Sequence, residues 1–160
     1  MVNFNALAFT AALTGLAQAV GQSKVTNNCE DSVYLWVVGS TQEGPEEIKS
    51  GDTWAEDYWR DDVSGGIALK IAKEEDGVPA GQAHTTFGYT LDPDRIWYDL
   101  FDVFGNPFAG EEVVLEGEGD ECPDIEWPEG VAPSGEKLMV SNTVDCDPES
   151  DTTLYLCGKD

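Results

Sequence analysis

Nine short runs rich in apolar and β-branched residues, each closed by a turn signal, leave this chain little room for a helix. They are Lys24–Asn27, Val33–Val38, Thr53–Tyr58, Ile67–Ala72, His84–Tyr89, Arg95–Val103, Glu112–Leu115, Lys137–Val140 and Thr152–Leu156. Between them stand Gly39-Ser40, Gly44-Pro45, Ser50-Gly51, Gly65-Gly66, Asp76-Gly77, Asp92-Pro93 and Gly105-Asn106-Pro107. Glycine and proline at such intervals punctuate strands. A spacing of roughly 8–15 residues, with no sustained helical period, predicts an all-β sandwich or barrel. Val33–Val38 is apolar on both faces and reads as a strand covered on both sides. Thr53–Trp59 is mixed and belongs nearer a surface. The stretch 116–136 is acidic and carries Gly and Pro, so it reads as an extended loop excursion tethered by Cys122. A single turn over Gly44–Lys49 is the only helical signal.

The first residues have a different character. Ala6–Ala17 is apolar apart from Thr10, Thr14 and Gly15, and Ala17-Gln18-Ala19 supplies the small-x-small pattern of a signal-peptidase site. The run is too short for a bilayer span of about 20 residues. Residues 1–19 are therefore predicted to be a signal peptide and 20–160 one mature, soluble, extracellular domain. No hydrophobic tail closes the sequence, and no Asn stands two residues before Ser or Thr, so neither a lipid anchor nor ordinary N-glycosylation is expected.

Four cysteines in an exported chain form an even set, and the oxidising route predicts two disulfides. Three pairings are open. One of them staples the ends through Cys29 and Cys157 and leaves Cys122 with Cys146. Zinc is the rival use of cysteine, but there is no Cys-x-x-Cys and His84 is the lone histidine.

Charge excludes further classes. With 32 acidic and 8 basic residues the formal net charge is −24. Binding to nucleic acid requires basic side chains to replace phosphate counterions, so nucleic acid and anionic membranes are not expected partners. The charge also keeps copies apart in solution, and a monomer is expected.

No catalytic constellation stands out. A nucleophilic triad would need His84, which opens a strand with no nucleophile signature beside it. Glycoside hydrolysis needs two carboxylates at a set separation. Asp57, Asp61, Asp62, Asp92, Asp94, Asp99 and Asp102 are all candidates, too many to be specific. Asp145, Asp147, Glu149 and Asp151 alternate as calcium ligands do, but the segment lacks a central glycine and has Leu156 where a closing Glu belongs. No metal and no cofactor is assigned. Trp54, Tyr58, Trp59, Tyr98 and Trp127 have the chemistry to stack on sugar rings, although a domain of this size needs most such side chains in its core.

Several segments resemble a known family in order and spacing. Val25-Thr26-Asn27-Asn28-Cys29 followed by Val33–Val38 is similar to the opening of thaumatin-like proteins, and Ser50-Gly51-Asp52-Thr53-Trp54 to their Gly-x-x-Trp step. Gly65-Gly66-Ile67-Ala68-Leu69 is similar to the glycine-led strand that follows. Trp97-Tyr98-Asp99-Leu100-Phe101-Asp102-Val103-Phe104-Gly105 with Pro107-Phe108-Ala109-Gly110 resembles, more narrowly, the Blastomyces yeast-phase-specific family of small fungal secreted proteins. The resemblance spans roughly residues 23–157.

It implies a thaumatin-like β-sandwich of about 9–11 strands, with its first and last cysteines joined. It further implies a secreted, non-enzymatic fungal protein whose partner is a cell-wall glycan or a host surface protein. Larger relatives carry a cleft of one Arg, one Glu and three Asp linked to β-1,3-glucan. In this chain Asp99 falls on the strand aspartate of that set, the Arg position lands near Lys70 or Ile71, and the Glu position near Thr85 or Thr86. The remaining aspartates have no counterpart, and most of the family's cysteines are missing. Asp99, Tyr98, Lys70 and Asp102 are thus the candidate carbohydrate-binding residues, with no catalytic residue assigned. The alternatives are a weak endo-β-1,3-glucanase using cleft carboxylates and an effector that inhibits a host enzyme. Intact mass of the exported protein checks the first expectations: residues 20–160 less four hydrogens should be found, and free thiols under denaturant would contradict the two bridges.

Overall fold

The computed structural model describes residues 20–119, 121–133 and 144–159. The leader and the strand expected over Lys137–Val140 lie outside the described residues. Eleven strands and no helix are present among those described: β1 (Gln22–Asn27), β2 (Val33–Val38), β3 (Gln42–Ile48), β4 (Thr53–Asp57), β5 (Ile67–Ala72), β6 (His84–Asp92), β7 (Arg95–Val103), β8 (Val113–Gly117), β9 (Ile125–Trp127), β10 (Val144–Cys146) and β11 (Thr152–Leu156). They form a five-stranded sheet of order β4-β1-β11-β8-β9 and a six-stranded sheet of order β10-β7-β6-β5-β2-β3. The fold is the all-β sandwich expected from the punctuation.

Alternation builds the core. In β1 and β11 every second residue is buried, as a strand with one face inward requires. Val25, Leu115, Leu154, Leu156 and Trp127 from the smaller sheet meet Leu35, Leu69, Ile71, Phe87, Ile96, Tyr98 and Leu100 from the larger. Burying each such side chain contributes about 1.5–3 kcal/mol against an exposed reference. Two polar ties cross this interior. Tyr58 Oη and Thr152 Oγ1 lie 2.6 Å apart. Buried Asn27 donates to the carbonyls of Asp31 and Ile48, each at 2.9 Å, while its Oδ1 accepts from the Cys29 amide at 3.0 Å.

β1 and β11 run parallel in register Asn27↔Leu156, so both strands end on the same side of the sheet. That places Cys29 and Cys157 with Cα atoms 5.0 Å apart, and they are bridged. The second disulfide joins Cys122, after β8, to Cys146 in β10, and so links the two sheets.

Three strands depart from the sequence reading. Gly44–Lys49 is not a helical turn: its residues to Ile48 belong to β3, the edge strand paired only to β2. Gly and Pro are poor strand formers, but an edge tolerates them because one side of the ladder is unpaired. Gly44 is demanded here, with φ +115° and a position where a Cβ would lie 2.6 Å from the Leu35 carbonyl oxygen. Exposed Glu43, Glu46 and Glu47 put charge on that edge, which discourages pairing with another chain. β9 lies within the acidic excursion, where three residues pair with β8 and bury Trp127 completely. β10 pairs with β7 through tertiary contacts, since the three residues Val144-Asp145-Cys146 are too few for a periodic signal.

The two bridges close loops of very different length, spanning 128 and 24 residues. Loop-closure entropy assigns them about 5 and about 3.5 kcal/mol respectively as upper values. Cys29→Ser should therefore lower unfolding free energy more than Cys122→Ser, as measured in denaturant melts of the oxidised proteins.

Candidate functional site

The larger sheet turns one face to the core and the other outward. On β7, Ile96, Tyr98 and Leu100 are buried, while Trp97 and Phe101 are 37 and 43% exposed and Asp99 is half-buried. On β5 and β6 the outward positions are Ala68 and Lys70, and Thr86, Gly88 and Thr90. Ala68, Gly88 and Thr90 floor a shallow groove of about 480 Å³, bounded by Lys70, Trp97 and Asp99, while Thr86 is buried.

Asp99 stands opposite Gly88, and its Oδ1 occupies the space a Cβ at Gly88 would need, 2.8 Å away. Any larger residue there would displace the carboxylate. No hydrogen bond or ion pair from another described residue reaches Asp99, and burial pushes its carboxyl above the usual range. Lys70 lies two strands away by register, across Thr86 and Gly88, and has no ion pair among the described residues. Trp97 is anchored through its indole N–H, which donates to Asp92 at 3.2 Å, and Asp92 accepts from Arg60 at 2.7 Å. The Gly39–Ser64 wall is held by Asp61. That buried carboxylate accepts from the Ser40 hydroxyl and amide and from the Val63 and Ser64 amides, which hold it well below the ordinary carboxylate range.

The four expected residues do not converge. Asp99 and Lys70 line the same groove. Tyr98 points into the core, 1% exposed, where its hydroxyl donates to the Pro123 carbonyl at 2.6 Å and burial pushes it up to about 12. Asp102 has the inward parity at the end of β7 and accepts from Thr85 Oγ1 and Asn106 Nδ2. Burial raises its carboxyl, with those hydrogen bonds opposing. Of the aromatic candidates, Tyr58 and Trp127 are core, Trp54 packs against it, and Trp59 is at the surface.

Three of the four alternating acids near the C-terminus are engaged separately. Asp145 pairs with Arg95, Asp147 accepts from the Glu149 amide, and Asp151 accepts from Lys24 and the Gln22 amide. Among the described residues no group of three or more His, Cys, Asp or Glu is placed to hold a metal. A larger cleft of about 690 Å³ beside the Cys29–Cys157 bridge carries Glu30, Asp31, Glu74, Glu75 and Glu111. Its one cation, Lys73, lies over the Phe108 ring.

Trp97 escaped the sequence reading, which favoured Tyr98 beside the family aspartate. The signal was available: in Arg95–Val103 the aspartate shares its parity with Trp97 and Phe101, and Tyr98 has the parity of Ile96 and Leu100.

The sandwich, its terminal bridge and the outward groove define a thaumatin-like protein. The family model described as Bys1, Blastomyces yeast-phase-specific protein, matches residues 10–158, and the chain belongs to that family. An antigenic thaumatin-like protein of Arthroderma benhamiae is 32% identical over 96% of this chain and 80% of its own length. The secreted thaumatin-like protein calA of Emericella nidulans is 24% identical over 85% of this chain and 81% of its own. Among solved structures, the protein elicitor MoHrip2 of Magnaporthe oryzae superposes with TM-score 0.67 at 26% identity, covering 86% of this chain and 99% of that one. The thaumatin-like xylanase inhibitor TLXI shares the fold at 12% identity and TM-score 0.56, covering 85 and 99%. With secreted relatives and two disulfides, this is a secreted, extracellular protein.

Burial of Asp99 has a testable sign. A carboxyl whose folded pKa exceeds its unfolded value destabilises the fold when ionised, and the penalty disappears as pH falls through the folded pKa. Asp99→Asn should therefore raise the melting temperature at neutral pH, with the advantage shrinking toward pH 4. A constant gap across that range would contradict it.

Proposed function

We propose that the mature chain, from Val20 onward, acts outside the cell by binding and not by catalysis, with the Lys70–Asp99–Trp97 groove as a saccharide site for a cell-wall glycan. The observation that carries this reading is the pairing of a half-buried carboxylate with an exposed, hydrogen-bonded indole on a flat floor of small residues. Stacking of a sugar's C–H face on Trp97 would leave its hydroxyls to Asp99 and Lys70.

Hydrolysis asks for a second carboxylate across the scissile bond, one acid and one base or nucleophile. Asp102, the nearest carboxylate along the strand, has the opposite parity and is held by Thr85 and Asn106. The groove's geometry therefore favours a lectin-like role over a weak glucanase. The relatives described as antigenic and as a protein elicitor support a second reading, recognition at a host surface, in which the same outward face meets a host component.

Co-sedimentation of the purified mature protein with insoluble β-1,3-glucan tests the first reading. Salt-tolerant binding is expected, weakened about three- to tenfold by Trp97→Ala and weakened by Asp99→Asn, with no reducing sugar released from laminarin. Loss-free binding by both variants would remove the groove from the account. Absence of binding would remove the glycan and leave the host-surface reading.

A further inference from the structure

We propose that the smaller sheet accepts a further strand along the free edge of β4, supplied by a protein partner as an extended segment with Lys or Arg at alternate positions. The surface is separate from the saccharide groove, at the far edge of the larger sheet from β7.

The sandwich sets five strands against six. β4 ends the smaller sheet and β3 the larger, and the two edges share a groove of about 250 Å³. Leu35, Val37 and Trp54 line it as an apolar floor continuous with the core, while Glu43, Glu46 and Glu56 supply its charge. β3 is exposed from Gln42 to Glu47, so no strand of the smaller sheet covers it.

The register of β4 shows what its free edge presents. The Asn27 amide donates to the Asp52 carbonyl at 3.0 Å, and the Tyr58 amide donates to the Gly21 carbonyl at 2.9 Å. Trp54 and Glu56, between them with the same parity, therefore turn their backbone groups toward β1. Thr53, Ala55 and Asp57 turn theirs away from the sheet, and the side chains of all three are exposed. β4 has no second strand partner among the described residues. An edge without Pro, Gly or a bulge is a template for an incoming strand.

Charge selects the occupant. β2 and β3 pair with a register shift that sets Glu46 opposite Leu35 and Glu43 opposite Val37. Two carboxylates three positions apart thus share the inner face of β3, where a sandwich ordinarily carries apolar side chains. Among the described residues no ion pair involves Glu43, Glu46 or Glu56. Charges on the inner face keep apolar strands off an edge, and in a chain of net charge −24 they also repel a second copy. A strand beside β4 would point every second side chain into the groove. Lys or Arg at those positions would lay its aliphatic stem on Val37 and Trp54 and carry its charge to the carboxylates. The residues that reject other strands therefore favour this one.

Residue-resolved amide hydrogen exchange of the mature protein tests this. The probe is the capped hexapeptide Lys-Thr-Lys-Thr-Lys-Thr, and the control is Lys-Lys-Lys-Thr-Thr-Thr, equal in composition and charge. At saturation with the alternating peptide the Ala55 amide should exchange more slowly by about tenfold or more, while Trp54 and Glu56, already turned to β1, should not change. The block peptide should bind more weakly and give no such protection. The double variant Glu43→Gln, Glu46→Gln should weaken the alternating peptide about three- to tenfold. It should not lower the melting temperature, since both side chains are exposed. Absence of protection at Ala55, equal binding of the two peptides, or undiminished binding by the double variant would overturn the added strand. Protection confined to the cleft of Glu30, Asp31, Glu74 and Glu75 would reveal attraction by charge alone and overturn it equally. The same protection at Ala55 rising with protein concentration, without peptide, would overturn the basic partner in favour of a second copy.

Discussion

The parallel pairing of β1 with β11, sealed by Cys29–Cys157, is the constraint on which the remaining structure hangs. It brings together residues separated by 128 positions in sequence and fixes the middle of the smaller sheet. Closing so long a loop is costly in chain entropy. Once it is closed, β8 can pair with the free edge of β11 and β4 with the free edge of β1. Asn27 satisfies three backbone groups at the junction of strand and bridge, so this corner combines covalent and polar fastening. The larger sheet can then be a nearly sequential antiparallel stack whose inner face is filled by Leu69, Phe87, Tyr98 and their neighbours.

A chain with so many carboxylates folds because few of them enter the core. Among the described residues Asp61 is the buried exception, and it accepts from four donors. The edge strand β3, the excursion after β8 and the cleft beside the terminal bridge carry much of the rest at the surface. On the outer face of β5–β6–β7 the groove is lined by one cation, Lys70, and one carboxylate, Asp99. The groove proposed as a saccharide site therefore carries both signs of charge in a strongly acidic protein.

Strand alternation governs what the face can do. A one-residue difference along β7 separates Asp99, which looks out over Gly88, from Tyr98 and Leu100, which fill the core. The same rule sends Asp102 inward, away from Asp99, to accept from Thr85 and Asn106. Aspartates three residues apart in a strand cannot face one ligand as a pair, because the side-chain period is two.

Much of the fold was legible from the residues alone. Apolar runs between Gly and Pro punctuation gave β2, β5, β7 and β11 with the bounds they have, because in these strands a buried face leaves a clear imprint on residue type. The cysteine set and the apolar run Ala6–Ala17 before Ala17-Gln18-Ala19 pointed to an oxidised, exported protein for chemical reasons that need no coordinates. β3 and β10 were not legible: an edge strand of Glu, Gly and Pro and a three-residue strand of Val-Asp-Cys owe their conformation to the partner beside them. Asp99 was legible as a candidate, and the parity of Trp97 and Phe101 was written in the sequence. That Gly88 makes room for the carboxylate, that Asp92 fixes the indole and that Asp102 bridges Thr85 and Asn106 could be decided only in three dimensions. Each depends on which strands lie side by side, and pairing between residues far apart in the chain is set by tertiary packing, which no local pattern encodes.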